Sequence, residues 1–283
     1  MSKTPGSSSR SRDLGDAALP PSALERWPEI EKRLRRGRPA LFLDYDGTLT
    51  PIVARPELAV LDGGVRELLG RLARRFPVAV LSGRGREDVA ALVGLPELVY
   101  AGSHGFDIAG PEVRHEVGEG VPAEIAATAA ELERAVRGFP GVLVEPKRFT
   151  VAVHWRLARP EDLPALEGEV EGVLARHPAL RRAEGKKVWE LRPALAWDKG
   201  EALRWLLAAW GLDGGRGVPL YLGDDATDED AFRAVRAVRA AAEPGVGVLV
   251  ADEPRPTAAS YVLRDPAEAR ELLERVAALP LDG

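Results

Sequence analysis

The chain has 283 residues, enough for one large domain or two small ones, and its 45% apolar and 29% charged content is that of a globular protein. No stretch reaches the roughly 18 uninterrupted apolar residues of a membrane helix, and a net charge of −5 gives no basic face for nucleic acid. The absence of cysteine excludes disulfides and thiolate metal sites and fits a reducing, cytoplasmic setting.

Residues 1–20 are rich in Ser, Arg, Gly and Pro and lack the apolar segment of a secretory signal, so they read as a disordered tail. Ala40–Leu43 and Pro77–Leu81 then read as buried strands. Between them Val65, Leu68, Leu69 and Leu72 recur at helical spacing. A helix near 86–93 and a strand at Leu98–Tyr100 follow. Strands separated by helices of this length predict right-handed crossovers and a parallel sheet.

The pattern changes over 105–195. Phe106–Ile108 with Glu112–Val117, and Val142–Glu145 with Phe149–Trp155, read as two hairpins. Helices over 122–137 and 161–176 and strands near 180–184 and 187–192 complete an α+β insert with its own antiparallel sheet. After 196 the alternation returns: Leu203, Leu206, Leu207 and Trp210 mark one helix face, and strands fall at Pro219–Leu222, Val246–Val250 and Tyr261–Leu263. The expected fold is α/β: a doubly wound parallel, Rossmann-like core built from 21–104 and 196–283, with an α+β cap inserted at 105–195.

Two acidic clusters end strands of that core. Asp44-Tyr-Asp46-Gly-Thr48 follows the first, and Gly223-Asp224-Asp225 with Asp228 follows the strand at 219–222. Ligands of open α/β sheets bind beyond the carboxyl ends of the strands. Asp after a strand is common in turns, but two such clusters at neighbouring ends would bring four or five carboxylates together. A pair of like charges 4 Å apart repels by roughly 4 kcal/mol at an effective dielectric near 20. Such a cluster calls for a cation, and all-oxygen ligands favour Mg²⁺ over Zn²⁺.

Ser82-Gly83-Arg84 ends another strand, where a hydroxyl and free N–H groups can hold phosphate oxygens. Only six lysines occur in an arginine-dominated chain, and four of them, Lys147, Lys186, Lys187 and Lys199, lie between 147 and 199. Lys199 follows Asp198, a helix cap with Glu201 at capping-box spacing. A lysine in a first helical turn opposes the macrodipole, which makes sense where both it and the helix end face an anion. Lys186 and Glu190, four apart on an expected strand, share a face, and Glu145 and Lys147 sit at a hairpin tip. Cross-strand charge pairing on an exposed sheet face is the alternative account of these last four. The four histidines show no metal-ligand spacing: His104 is placed near the hinge, the others in structural roles.

In this order, Asp44-x-Asp46-Gly-Thr48, Ser82-Gly-Arg, Lys199 and Gly223-Asp-Asp225 resemble the motifs of haloacid-dehalogenase-type phosphatases. Within them Leu43–Thr50, Gly102–Gly105, Glu145-Pro-Lys147, Val153–Arg156, Gly185–Glu190, Trp197–Gly200 and Gly223–Phe232 are similar to the trehalose-6-phosphate phosphatases. The resemblance implies a Mg²⁺-dependent hydrolase of a small sugar phosphate. Asp44 would be the nucleophile and Asp46 the acid and base. Asp44, the Asp46 carbonyl and Asp224 would hold the metal, with Asp225 and Asp228 orienting the ligands, while Ser82 and Lys199 neutralise phosphate. It also implies that Gly105, Glu145, Lys147, Arg156, Lys186 and Glu190 contact the sugar. The expected partner is that small molecule alone, with no nucleic acid and no membrane, and the expected state is a monomer. Alternatives are a phosphatase of sucrose-phosphate or glucosylglycerate phosphate, and a non-catalytic sugar-phosphate sensor. A phospho-receiver domain also uses strand-end aspartates, but it lacks an acid two residues past the phosphorylated Asp and carries no large cap.

Overall fold

The structure is a computed structural model that describes residues 20–280 other than 54, 56, 57, 186, 241, 242 and 254. The expected tail therefore lies outside the described residues except for Pro20. The elements run α1 (Trp27–Leu34), β1 (Arg38–Leu43), α2 (Gly63–Ala73), β2 (Val78–Leu81), α3 (Arg86–Val93), β3 (Val99–Gly102), β4 (Asp107–Gly110) and β5 (Val113–Glu116). They continue with α4 (Val121–Ala135), β6 (Leu143–Pro146), β7 (Val151–His154), α5 (Leu163–Leu174), β8 (Leu180–Gly185) and β9 (Val188–Pro193). The last third holds α6 (Lys199–Ala209), β10 (Gly217–Gly223), α7 (Glu229–Ala237), β11 (Arg239–Ala240), β12 (Glu243–Pro244), β13 (Val246–Val250), β14 (Tyr261–Leu263) and α8 (Pro266–Ala277).

One eight-stranded sheet has the order β14-β13-β10-β1-β2-β3-β4-β5. Its first six strands are parallel. Strand β1 is buried along Pro39–Leu43, and β10 along its whole length, because helices cover both faces. Leu41, Leu43, Leu220 and Leu222 turn to one side and pack with α1, α2, α3 and α8 through Ile30, Leu68, Val89 and Leu272. Phe42, Ala79 and Tyr221 turn to the other side and meet Leu203, Leu206 and Phe232 of α6 and α7. Period-two alternation thus builds two apolar layers from one run of residues. Helix starts follow their capping chemistry: the side chains of Asp62, Asp198 and Asp265 accept backbone N–H bonds from Gly64 and Val65, from Glu201 and from Glu268.

Strand order reverses between β1 and β10. The chain moves from β1 outward to β3 on one side and returns through β10 on the other, which opens a crevice at their carboxyl ends. Asp44 N donates to Leu222 O at 2.9 Å, continuing the ladder in which Leu43 pairs with Leu222. The two acidic clusters are therefore neighbours by register.

A second sheet, β6-β7-β9-β8, is wholly antiparallel. Its inner face, Val151, Val153, Trp189 and Leu191, packs on Ile125 and Leu132 of α4 and Leu166 and Val170 of α5. The opposite face carries Glu145, Ala152 and Glu190 in one cross-strand row.

One expectation is corrected here. The hairpin of β4 and β5, read from sequence as part of the insert, belongs to the large sheet: β4 pairs antiparallel with β3 through Tyr100–Ala109 and Ala101–Ile108. A hairpin's own pattern fixes the pairing within it and leaves open which edge it joins. The second sheet begins only at Leu143, after α4.

Leu132 lies at the centre of the smaller core and is fully buried. Leu132→Ala should destabilise that unit by roughly 2–5 kcal/mol, as large-to-small core substitutions do. Denaturant melts followed by tryptophan fluorescence measure it, since Trp189 lies in the same cluster. A loss below about 1 kcal/mol would remove Leu132 from the core.

Candidate active site

Lys199 opens α6 and is buried between two acids. Its Nζ donates to Asp44 Oδ1 and to Asp228 Oδ1, each at 2.7 Å. Burial alone would strip the lysine of its proton, but the two carboxylates prevail and hold its pKa above the ordinary range. Asp228 is fully buried and fully engaged. Its Oδ1 also accepts from Tyr221 Oη at 2.5 Å, and its Oδ2 accepts from the N–H groups of Asp224 and Asp225 at 2.9 and 3.0 Å. Asp228 thereby fixes both the ammonium and the turn after β10.

Asp44 lies at the end of β1 in the same group. Burial pushes its carboxyl well above the usual carboxylate range, against the pull of Lys199. Asp224 is raised to about 7, first by burial and then by the charges of Asp225 and Asp228. Asp44, Asp224 and Asp228 offer carboxylate oxygens within 4.8 Å of one another. With Asp228 occupied by four donors, the oxygens left to hold a cation come from Asp44 and Asp224. An all-oxygen set of this kind suits a hard divalent ion, so the residues fit Mg²⁺. Gly47 makes the approach possible. Its φ is +79°, and a Cβ there would stand 2.1 Å from Asp224 Oδ2.

Asp46 turns away from this group. Its carboxylate is held in a fork by Arg84, with Nε and Nη2 at 2.7 and 2.6 Å. Ser82 is buried at the end of β2, and its Oγ accepts from Arg84 N at 3.1 Å. His104 stands over Gly83 in a left-handed turn, φ 58°. Burial, helped by Lys199, lowers its pKa to about 3, so the ring is neutral at physiological pH. Asp225 caps the turn at 226–228 by accepting from Thr227 N and Oγ1. Burial would raise Asp225, but Lys199 and these hydrogen bonds hold it low.

These groups floor a cleft of about 760 Å³ whose far wall includes Glu145, Pro146 and Lys147 from the β6–β7 hairpin. The sequence profile of the trehalose-phosphatase family matches residues 42–267. The chain belongs to that family. A trehalose 6-phosphate phosphatase of Zea mays is 41% identical over 273 residues, a match covering 91% of this chain and 74% of the relative. A trehalose-6-phosphate phosphatase structure from Aspergillus fumigatus superposes with a TM-score of 0.68 at 28% identity, covering 92% and 99% of the two chains. The fold is also that of a haloacid dehalogenase-like hydrolase from Bacteroides thetaiotaomicron, with TM-score 0.62, 17% identity and coverage of 85% and 100%. Among the described residues no helix is long and apolar enough to cross a membrane.

In this trehalose-phosphatase family member, Asp44, Asp46, Ser82, Lys199, Asp224 and Asp225 all border the cleft. Of the residues implied for the sugar, Glu145 and Lys147 do as well. Three others are placed elsewhere. Gly105 is buried against α6, where a Cβ would lie 2.5 Å from Ala202 Cβ, and Trp197 Nε1 donates to its carbonyl at 2.9 Å. Arg156 follows β7 and is exposed, outside the cleft lining. Glu190 stands on the open face of β9, beside Ala152 and short of the cleft wall. Lys186 lies outside the described residues; β8 ends at Gly185 and β9 starts at Val188. Sequence reasoning missed the Arg84 fork and Tyr221. Arg84 was visible as the third residue of Ser-Gly-Arg, and Tyr221 as the one polar tip in an apolar strand.

Asp224 gives a pH test of the cation site. Its folded pKa of about 7 exceeds the ~3.9 of an unfolded aspartate. The metal-free fold thus binds an extra proton, and its contribution to stability is lost as pH rises from about 4 through about 7. A cation must displace that proton. The rise in Tm on adding Mg²⁺ should therefore be larger at pH 8 than at pH 6, and equal rises would contradict the assignment.

Proposed function

We propose that the protein is a Mg²⁺-dependent phosphatase that hydrolyses trehalose 6-phosphate through an aspartyl-phosphate on Asp44. The observation that carries the reading is the Asp44–Lys199–Asp224 group at the switch point, facing polar side chains of the insert across one cleft. In this reading the insert is a cap that reads the sugar on a discontinuous catalytic core, and the protein acts as a cytoplasmic monomer.

Asp44 Oδ attacks phosphorus, and the bond from phosphorus to the sugar ester oxygen breaks. Asp46 delivers a proton to that leaving oxygen. Its carboxyl must first leave the Arg84 fork to reach it. Water then attacks the aspartyl-phosphate, Asp46 accepts the water's proton, and phosphate leaves with Asp44 restored. Ser82 Oγ and Lys199 Nζ stand where the phosphoryl oxygens collect charge. Asp44, the Asp46 carbonyl and Asp224 would hold Mg²⁺, which supplies charge neutralisation for the transferring group. Glu145 and Lys147 reach the sugar hydroxyls.

Phosphate release from a panel of sugar phosphates tests the reading. Trehalose 6-phosphate should be the preferred substrate over sucrose-phosphate and glucosylglycerate phosphate, with turnover lost in EDTA and restored by Mg²⁺. Full turnover in EDTA would overturn the metal assignment, and no turnover of any sugar phosphate would leave a binding protein.

Asp44→Asn should lower kcat at least about a thousandfold while the melting curve stays near wild type, because the amide is nearly isosteric. Asp46→Asn should lose as much on trehalose 6-phosphate, whereas on p-nitrophenyl phosphate, whose leaving group needs no proton, it should keep the first-turnover burst of nitrophenol while steady turnover falls through the lost base. Equal losses of the first-turnover rate on both substrates would deny Asp46 the acid role.

A further inference from the structure

The β6–β7 hairpin presents Glu145, Lys147 and Arg148 to the cleft, and its tip rests on the large sheet. The turn is tight: Lys147 N donates to Thr150 O at 2.8 Å. From inside that turn Arg148 reaches β4 and β5. Its Nη2 donates to Glu116 Oε2 at 2.6 Å, and its Nη1 stands 3.8 Å from Asp107 Oδ2. The next residue, Phe149, is fully buried and stacks on Phe106 with ring centroids 6.1 Å apart.

The two acids need cations. Asp107 and Glu116 are directly opposed in the antiparallel ladder, where like charges repel. Asp107 is also buried, and among the described residues its Oδ1 accepts no hydrogen bond. Arg86 and Arg114 approach Asp107 at 3.0 and 3.3 Å, both from elements of the large-sheet unit. Arg148 is the third cation of the group, and it comes from the smaller sheet. It is half-exposed, so its pairs contribute little to stability. What they fix is register between two separately packed units.

We propose that Arg148 is a positioning residue for substrate recognition: its ion pairs with Glu116 and Asp107 set where Glu145 and Lys147 stand relative to the phosphate site. This rests on the reading that the cleft holds a sugar phosphate. A two-ended ligand is gripped only if the distance between its two sets of contacts is right. A misplacement of about 1 Å can cost on the order of 100-fold. A ligand touched at the phosphate end alone is indifferent to that distance.

The test uses the full chain with Arg148→Ala, Arg148→Lys, Glu116→Arg, and the charge swap that combines Arg148→Glu with Glu116→Arg. Kinetics are read on p-nitrophenyl phosphate and on whichever sugar phosphate the wild type turns over best. Arg148→Ala should raise KM for the sugar phosphate about 5- to 30-fold with kcat nearly kept, which is the sign of lost uniform binding. Arg148→Lys should fall between. Values for p-nitrophenyl phosphate should stay within about twofold. The swap should recover most of the loss. A direct contact from Arg148 to the ligand would not be recovered by placing a carboxylate there, so failure of the swap overturns the proposal. Equal losses on both substrates, or none, overturn it too. Amide hydrogen exchange over 147–154 gives a readout free of activity: faster in Arg148→Ala, restored in the swap. Unchanged exchange refutes the proposal even if the sugar phosphate hydrolysed is not trehalose 6-phosphate, an outcome that would instead sink the substrate reading alone.

Discussion

A buried ammonium between two buried carboxylates organises this protein. Taking an isolated charge out of water costs several kcal/mol even after relaxation, so Lys199 is tolerable at the start of α6 only with Asp44 and Asp228 on it. Those three residues come from three distant parts of the chain: the end of β1, the start of α6 and the turn after β10. Their meeting requires β1 and β10 to be sheet neighbours in the observed register, and it requires Tyr221 and two backbone N–H groups to complete Asp228. The arrangement carries two acids for each ammonium, and Asp224 adds a third. The raised pKa values of Asp44 and Asp224 express their burial first and that surplus of negative charge second.

The placing of the polar groups at the strand and helix ends was legible in the sequence for a simple reason. Each of these groups sits within a residue or two of a strand or helix end, and buried strands and capped helices announce their ends by apolar runs and Asp caps. Asp44 after Leu43, Ser82 after Leu81, Asp224 after Gly223 and Lys199 after Asp198 all follow this rule. Parallel topology then does the rest, because it gathers the same ends of all strands at one edge. The Arg84 fork on Asp46 was not legible. It joins two side chains 38 positions apart across neighbouring strand ends, and nothing in Ser-Gly-Arg says which carboxylate the guanidinium will choose.

The smaller-sheet side of the cleft was legible in part. Glu145 and Lys147 sit at a hairpin tip, and a tip has one direction in which to project. Glu190 lies in the middle of a strand. Alternation gave its face correctly, beside Ala152 and in the row of Glu145, but not its distance from the cleft, which depends on how the small sheet sits over the large one. The hairpin at 107–116 failed for the related reason that edge pairing is tertiary. At Gly105 the structure shows a packing demand that the motif does not reveal: a positive φ and no room for a side chain against α6.

The apolar cluster under the small sheet shares no residue with the two that sandwich the large one. Each unit therefore has its own reason to stay folded, and the chain passes between them only near 117–120 and 194–198. A molecule lying across the cleft would touch both. Its binding free energy would then also act as coupling between the two units, adding to the Phe106–Phe149 stack and the Arg148 pairs that already join them.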